Sequence, residues 1–304
     1  MTFPIKQMAI VDYARLQALQ GARIVEKGGV FWRQVRPLFF RPMVLPQELD
    51  PAHVVPPCSW PGAYQFAVAG NQVGNSTMSF LFYDELRDYT LENLSHNRRR
   101  LIKNAAKLFE VRPLSDLETL TAQGHSVYVS FFERTHYRFR SDRTQKQEFD
   151  RWAQTIFAFP SSFVLGAYDS KRLVGVSVSF WVHDTLLYAT LFAESEAQRK
   201  GVGELMLHVL RTTVAQEHGI ARILVRPYQG GTSHDQYYLM RGCKLVRKPA
   251  LLRINPAVAM LLRSLAPAQY AKLRGTFSEN GIPDANEQTD ESRMRIGTQT
   301  ELPK

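Results

Sequence analysis

The sequence predicts an α+β fold. A mixed, mostly antiparallel sheet is flanked by helices and preceded by an aromatic- and proline-rich extension. Three observations predict it. Residues 163–192 read as three short apolar strands joined by the turns Asp169-Ser170-Lys171 and His183-Asp184, an antiparallel meander. Residues 202–218 then switch to helical spacing, with Val202, Leu205, Met206, Val209 and Leu210 on one stripe. The apolar run 220–225 follows as a buried strand, after Gly219 as a helix C-cap.

The other elements follow in order. Residues 1–25 have the spacing of an amphipathic helix. Seven prolines in 30–62 forbid a long helix there, so extended segments packed by Trp32, Phe39, Phe40 and Trp60 are expected. Residues 63–83 read as two strands about Gly70-Asn71 and Gly74-Asn75. A helix is expected over 84–107, a short strand over 109–112, and helical material over 115–159, broken near 123–125 and 141–142. After the meander come a short helix over 233–240, a strand or strand pair over 243–254 and a helix over 256–272. The chain from about 276 is polar, and a disordered tail is expected. The expected organisation is an extension over 1–107, a main domain over 108–275 and a tail over 276–304.

The chain has 304 residues and a formal net charge of +10, which favours anionic partners. No apolar run approaches the roughly 20 residues of a membrane helix, and the N-terminus lacks a signal pattern. Of two cysteines, Cys58 and Cys243, neither lies in a metal-ligand spacing, and Cys58 reads as a small buried hydrophobe, with a reactive thiol as the alternative. A reduced, cytoplasmic setting and no metal are expected.

The loop Gln198-Arg199-Lys200-Gly201-Val202-Gly203 connects a strand to a helix. A helix start presents unpaired N–H groups and the positive end of the macrodipole, a site for phosphate or pyrophosphate. Glycines at 201 and 203 remove Cβ atoms that would hold an anion away, and Gln198, Arg199 and Lys200 add donors and charge.

The order Gln198-x-x-Gly201-x-Gly203 after a strand resembles the coenzyme A loop of the GNAT superfamily of N-acetyltransferases. So does the pair Tyr238 and Gly242 in the next helix. The sequence departs from that pattern at Ser195, where Pro is common, and at Cys243, where Phe is usual. The resemblance covers about residues 108–254. It implies an enzyme in which Leu191, Phe192 and Ala193 pair with pantetheine and Gln198 to Gly203 hold the pyrophosphate. An amine, small or peptidic, would then attack the thioester of acetyl-CoA or a longer acyl-CoA. It also implies Tyr238 as general acid, with Tyr237 as the alternative. Glu194 is the candidate base, against a solvated carboxylate; a water chain and His234 are the other options.

The segment LSHNRRRLIKNAAKLFEVR before the meander is similar to FemAB-type proteins, GNAT-like transferases that take amino acids from aminoacyl-tRNA. That likeness implies tRNA as an alternative donor. A non-catalytic GNAT-like binding module is the third reading. Arg98, Arg99 and Arg100 are candidates for an anionic group of the acceptor, with a solvated face as the competing account. The basic-aromatic run Arg134, His136, Tyr137, Arg138 and Arg140 is a possible continuation of that surface. The acceptor is expected between the 27–107 region and the strands of 163–192.

Overall fold

A computed structural model describes residues 3–57, 62–70, 74–135 and 140–275. Helix α1 (Ile10–Leu19) leads into strands β1 (Ile24–Lys27), β2 (Val30–Arg36), β3 (Phe39–Pro42), β4 (Glu48–Leu49), β5 (Ala63–Val68) and β6 (Ser76–Tyr83). Next come α2 (His96–Leu108), β7 (Glu110–Pro113), α3 (Leu117–Thr135), α4 (Lys146–Phe157), β8 (Ser162–Asp169), β9 (Arg172–Val182) and β10 (Thr185–Ala193). The last part holds α5 (Ser195–Arg199), α6 (Val202–Val214), β11 (Arg222–Pro227), α7 (Ser233–Leu239), β12 (Lys244–Arg253), α8 (Pro256–Leu265) and α9 (Pro267–Arg274).

The strands form one sheet in the order β1-β2-β3-β5-β12-β6-β11-β10-β9-β8-β7, with β4 on β5. Pairing is antiparallel except at β3/β5, β4/β5 and β10/β11. The expected meander is present as β8-β9-β10. The segment expected as a strand or strand pair is the single strand β12, seated between β5 and β6. The expected boundary at 107 falls in the last turn of α2, and the sheet continues across it, because β6 lies between β12 and β11.

Helices cover both faces of the β8–β10 region. Along β8, Phe163 and Leu165 face one apolar cluster and Val164 the other, the period-2 alternation of a strand. Burial on both faces explains why these strands read as continuous apolar runs. α3 and α4 cover one face, where Phe192 packs edge-on to Tyr128 at 5.2 Å and to Trp152 at 6.0 Å. α2 and α6 cover the other. A third cluster fills the N-terminal part, with Trp32 fully buried against Phe66 at 6.0 Å and Phe40 beside them. Trp60 lies outside the described residues.

Several expected elements differ. The helix expected over 84–107 begins only at His96: Leu86 and Tyr89 are buried in the preceding loop, and Thr90 caps a short 3-10 turn at Leu91–Asn93. α3 runs unbroken through Gly124, where a Cβ would come within 2.6 Å of Leu120 and 3.0 Å of Phe149. Gly124 is therefore a packing contact inside the helix. α6 stops at Val214, so Gly219 is not its cap; a Cβ at Gly219 would lie 2.4 Å from the Trp181 ring. The helix expected over 256–272 is divided at Pro267 into α8 and α9. α1 spans only part of the helix expected over 1–25. Among the described residues no helix is long and apolar enough to cross a membrane. The tail expected to be disordered, Cys58 and Asn71 lie outside the described residues.

Candidate active site

β10 and β11 run parallel and pair only at Thr185–Arg222, Leu186–Ile223 and Leu187–Leu224. Immediately afterwards β10 carries a bulge between Tyr188 and Thr190, and β11 carries one between Leu224 and Arg226. A bulge bends its strand and increases its twist. The two strands separate beyond these points, and α7 begins just past the far end of β11. This separation is the focal point of the site.

Four tyrosines gather there. Tyr188 lies on β10, Tyr83 on β6, and Tyr237 and Tyr238 on α7, their rings 4.9 Å apart and edge-on. Burial pushes all four phenols above the ordinary tyrosine value, so each is protonated at neutral pH. Tyr238 packs against an apolar cluster, and Arg226 and Arg241 partly offset the effect of its burial. α7 is held by a capping box, in which buried Asp235 accepts from the N–H groups of Gln229, Gly231 and Thr232 at 3.0, 3.1 and 3.1 Å. Asp235 also sits 3.7 Å from Arg226. The Thr232-x-x-Asp235 spacing is the sequence signal for this residue, which the sequence reading missed. His234, by contrast, is exposed.

The loop before α6 has a different environment from the one its glycines imply. The N–H groups of Gln198, Lys200 and Gly201 donate to the carbonyls of Glu194, Glu196 and Gln198 at 2.9, 3.2 and 3.1 Å, closing the short helix α5. Gly201 has φ +90°, and a Cβ there would lie 2.7 Å from Leu101 of α2. A Cβ at Gly203 would lie 2.7 Å from the Gln198 side chain. Gly201 is thus explained by its backbone conformation and by Leu101, whereas the neighbour of Gly203 is the movable end of a side chain. Glu204, in the first turn of α6, is 5% exposed and accepts from Arg98 at 2.7 Å and from Arg241. A carboxylate already stands at this helix start, the place favoured for an anion.

The other expected site residues are distributed as follows. Arg98 is ion-paired to Glu204, while Arg99 is half-buried and Arg100 exposed; among the described residues neither has a carboxylate partner. Both oxygens of Glu194 accept from Arg172 at 2.6 Å, which makes it a poor candidate base. Phe192 and Ala193 are buried and Leu191 is half-buried. Arg134 of α3 donates to the Ala193 carbonyl at 3.1 Å, and burial lowers its pKa. Val202 is fully buried, Arg199 and Lys200 are exposed, and Lys200 pairs with Glu196 at 2.7 Å. His136, Tyr137 and Arg138 lie outside the described residues. Cys243 is buried, its thiol pushed up by burial. Of the two faces of β9 and β10, α3 covers one, and α6, with α2 of the 27–107 region packed on it, covers the other. Among the described residues no cluster of three His, Cys, Asp or Glu could hold a metal.

No family profile and no curated protein match this sequence. Solved structures do match in shape. The C-terminal domain of a putative lysylphosphatidylglycerol synthetase from Agrobacterium fabrum aligns with a TM-score of 0.53 at 11% identity, covering 89% of this chain and 94% of that one. FemX aligns with a TM-score of 0.54 at 10% identity, covering 83% and 93%. L-PGS from Bacillus licheniformis aligns with a TM-score of 0.50 at 11% identity, covering 89% and 94%. The fold shared with these structures is a mixed, mostly antiparallel sheet flanked by helices.

Proposed function

We propose that the protein is a GNAT-like transferase that moves an aminoacyl group from aminoacyl-tRNA to an amine. The observation that carries the transfer chemistry is the separation of β10 from β11, with Tyr238 on α7, the helix that begins just past the end of β11. In the reaction the acceptor nitrogen attacks the ester carbonyl, forming the amide C–N bond. The ester C–O bond breaks, and the leaving ribose oxygen takes a proton. Tyr238 supplies that proton and regains one from the amine by way of solvent. Glu194 is occupied by Arg172 and takes no part in the proton transfer.

The choice of donor rests on the loop. A pyrophosphate there would meet Glu204, three N–H groups already donated within α5, and Leu101 over Gly201. An ester at the end of a tRNA needs none of these contacts. The similarity to FemAB-type proteins and the shape likeness to FemX over 83% of this chain support the same choice. Acyl-CoA is the second reading, favoured by the exposed Arg199 and Lys200 beside the loop. Arg99 and Arg100 are assigned to contacts with an anionic group of the acceptor.

The test is a transfer assay with the full chain, a tRNA pool charged with labelled amino acids, and free amines or lysine-containing peptides. Amine-dependent loss of label from tRNA supports the reading. Transfer from acyl-CoA alone would replace it with the second.

A further inference from the structure

Helix α8 is an unusual surface element. Val258, Met260, Leu261 and Leu265 are exposed to 43%, 68%, 57% and 76%, and no residue of the helix is buried. Val258, Leu261 and Leu265 stand at i, i+3 and i+7, a single apolar stripe. The helix is nonetheless well formed. Asn255 caps its start by accepting from the Ala257 N–H at 2.9 Å, and Pro256 occupies the first turn. It packs on α9, which is fastened to the sheet by Gln65 donating to the Leu273 carbonyl at 2.9 Å. The apolar stripe is therefore held outward on a fixed support.

The segment that carries this helix has charge of one sign. Residues 244–275 contain seven Lys and Arg and no Asp or Glu. Lys244 and Lys248 are neutralised by Glu85 and Glu48. Arg253, Arg263, Lys272 and Arg274 have no carboxylate partner among the described residues; Arg263 only donates to the Tyr270 hydroxyl at 2.8 Å. Exposed aliphatic side chains on a helix with uncompensated cations around it are the combination that binds the boundary of an anionic bilayer. Nucleic acid would use the cations but gain nothing from Leu261 and Leu265. A helix of 10 residues is about 15 Å long, too short to cross a membrane, so it would lie along the surface.

We propose that α8 and the cations flanking it form a docking surface for an anionic lipid bilayer. Leu261 and Leu265 enter the headgroup boundary, and the flanking cations meet the lipid charges. This inference is independent of the transfer reading.

The test is flotation of the full chain with vesicles of phosphatidylcholine alone or with about 30% phosphatidylserine, an anionic lipid that supplies the negative surface potential. The chain should float with the anionic vesicles, not the neutral ones, and high salt should release it. Leu261→Ser with Leu265→Ser should reduce partitioning at least about tenfold, two buried leucines being lost. Because both are exposed, the melting temperature should hold. Arg263→Gln with Arg274→Gln should weaken binding without touching the apolar stripe, a second test if the first variant folds poorly. No flotation, or equal flotation of both variants, overturns the proposal. So does flotation only after truncation beyond Gly275, which would make residues 276–304 the natural cover. A dimer that the leucine changes dissociate, with no vesicle binding, would make the face a protein interface instead.

Discussion

Leu101 sits on Gly201: a Cβ at position 201 would lie 2.7 Å from both its Cγ and its Cδ1. The glycine with the strongest resemblance to a phosphate loop is thus the seat of an apolar contact from α2. Its left-handed φ of +90° adds a second reason for glycine.

Gly201→Ala should therefore destabilise the fold by about 2 kcal/mol, from backbone strain and collision together. Leu101→Ala in the same chain should recover part of that loss, because it removes the collision and not the strain. Denaturant unfolding of the two single variants and the double variant measures the coupling. Purely additive effects would mean that the two residues do not meet.

Glu204 joins α2, α6 and the segment after α7 through Arg98 and Arg241. Removing a buried carboxylate leaves its cationic partners uncompensated, so Glu204→Gln should cost about 3 kcal/mol. Arg98→Gln should cost less, since Arg241 remains. A triple change of Arg98, Arg99 and Arg100 consequently mixes stability with acceptor binding. Arg99→Gln with Arg100→Gln is the cleaner probe: KM for the acceptor should rise while the melting temperature holds.

Burial raises the pKa of Tyr13 to about 12 and lifts Tyr83, Tyr188 and Tyr238 as well. Each folded value lies above the unfolded one of about 10. The stability these neutral phenols contribute is fully present below that unfolded value and is lost as pH rises through the folded values. The denaturation midpoint should fall steeply above about pH 10, with a tyrosinate absorbance change at the same transition. Ordinary tyrosinate titration with the chain still folded would contradict the burial.

Tyr238→Phe should lower turnover by roughly 10²-fold, the low end for a lost acid–base group. Glu194→Gln should change it far less, because Arg172 already holds the carboxylate. The reverse ranking in a transfer assay would move the proton chemistry to Glu194.

The meander, the helix after the glycine loop and the short helix bearing Tyr238 were legible because each is a local pattern of period 2 or 3.6. The place of β12 between β5 and β6 was not, since long-range pairing leaves no mark in local periodicity. Gly124 and Gly219 misled for one reason: a glycine demanded by a neighbour's bulk reads the same as one demanded by a turn. Gly201 and Gly203 were conspicuous in the sequence, but their partners Leu101 and Gln198 were not, one about a hundred residues away. Asp235 was readable from its capping spacing. The pairing of Arg98 with Glu204 needed the packing of α2 on α6.

The most direct measurement is a binding titration of the full chain with acetyl-CoA, a long-chain acyl-CoA and aminoacyl-tRNA, with uncharged tRNA as the reference. The loop geometry predicts no saturable binding of either coenzyme A thioester, and saturable binding of aminoacyl-tRNA that exceeds that of the uncharged form. Tight, stoichiometric binding of acetyl-CoA or the long-chain thioester to the folded wild-type chain, abolished by Gly201→Val, would contradict it.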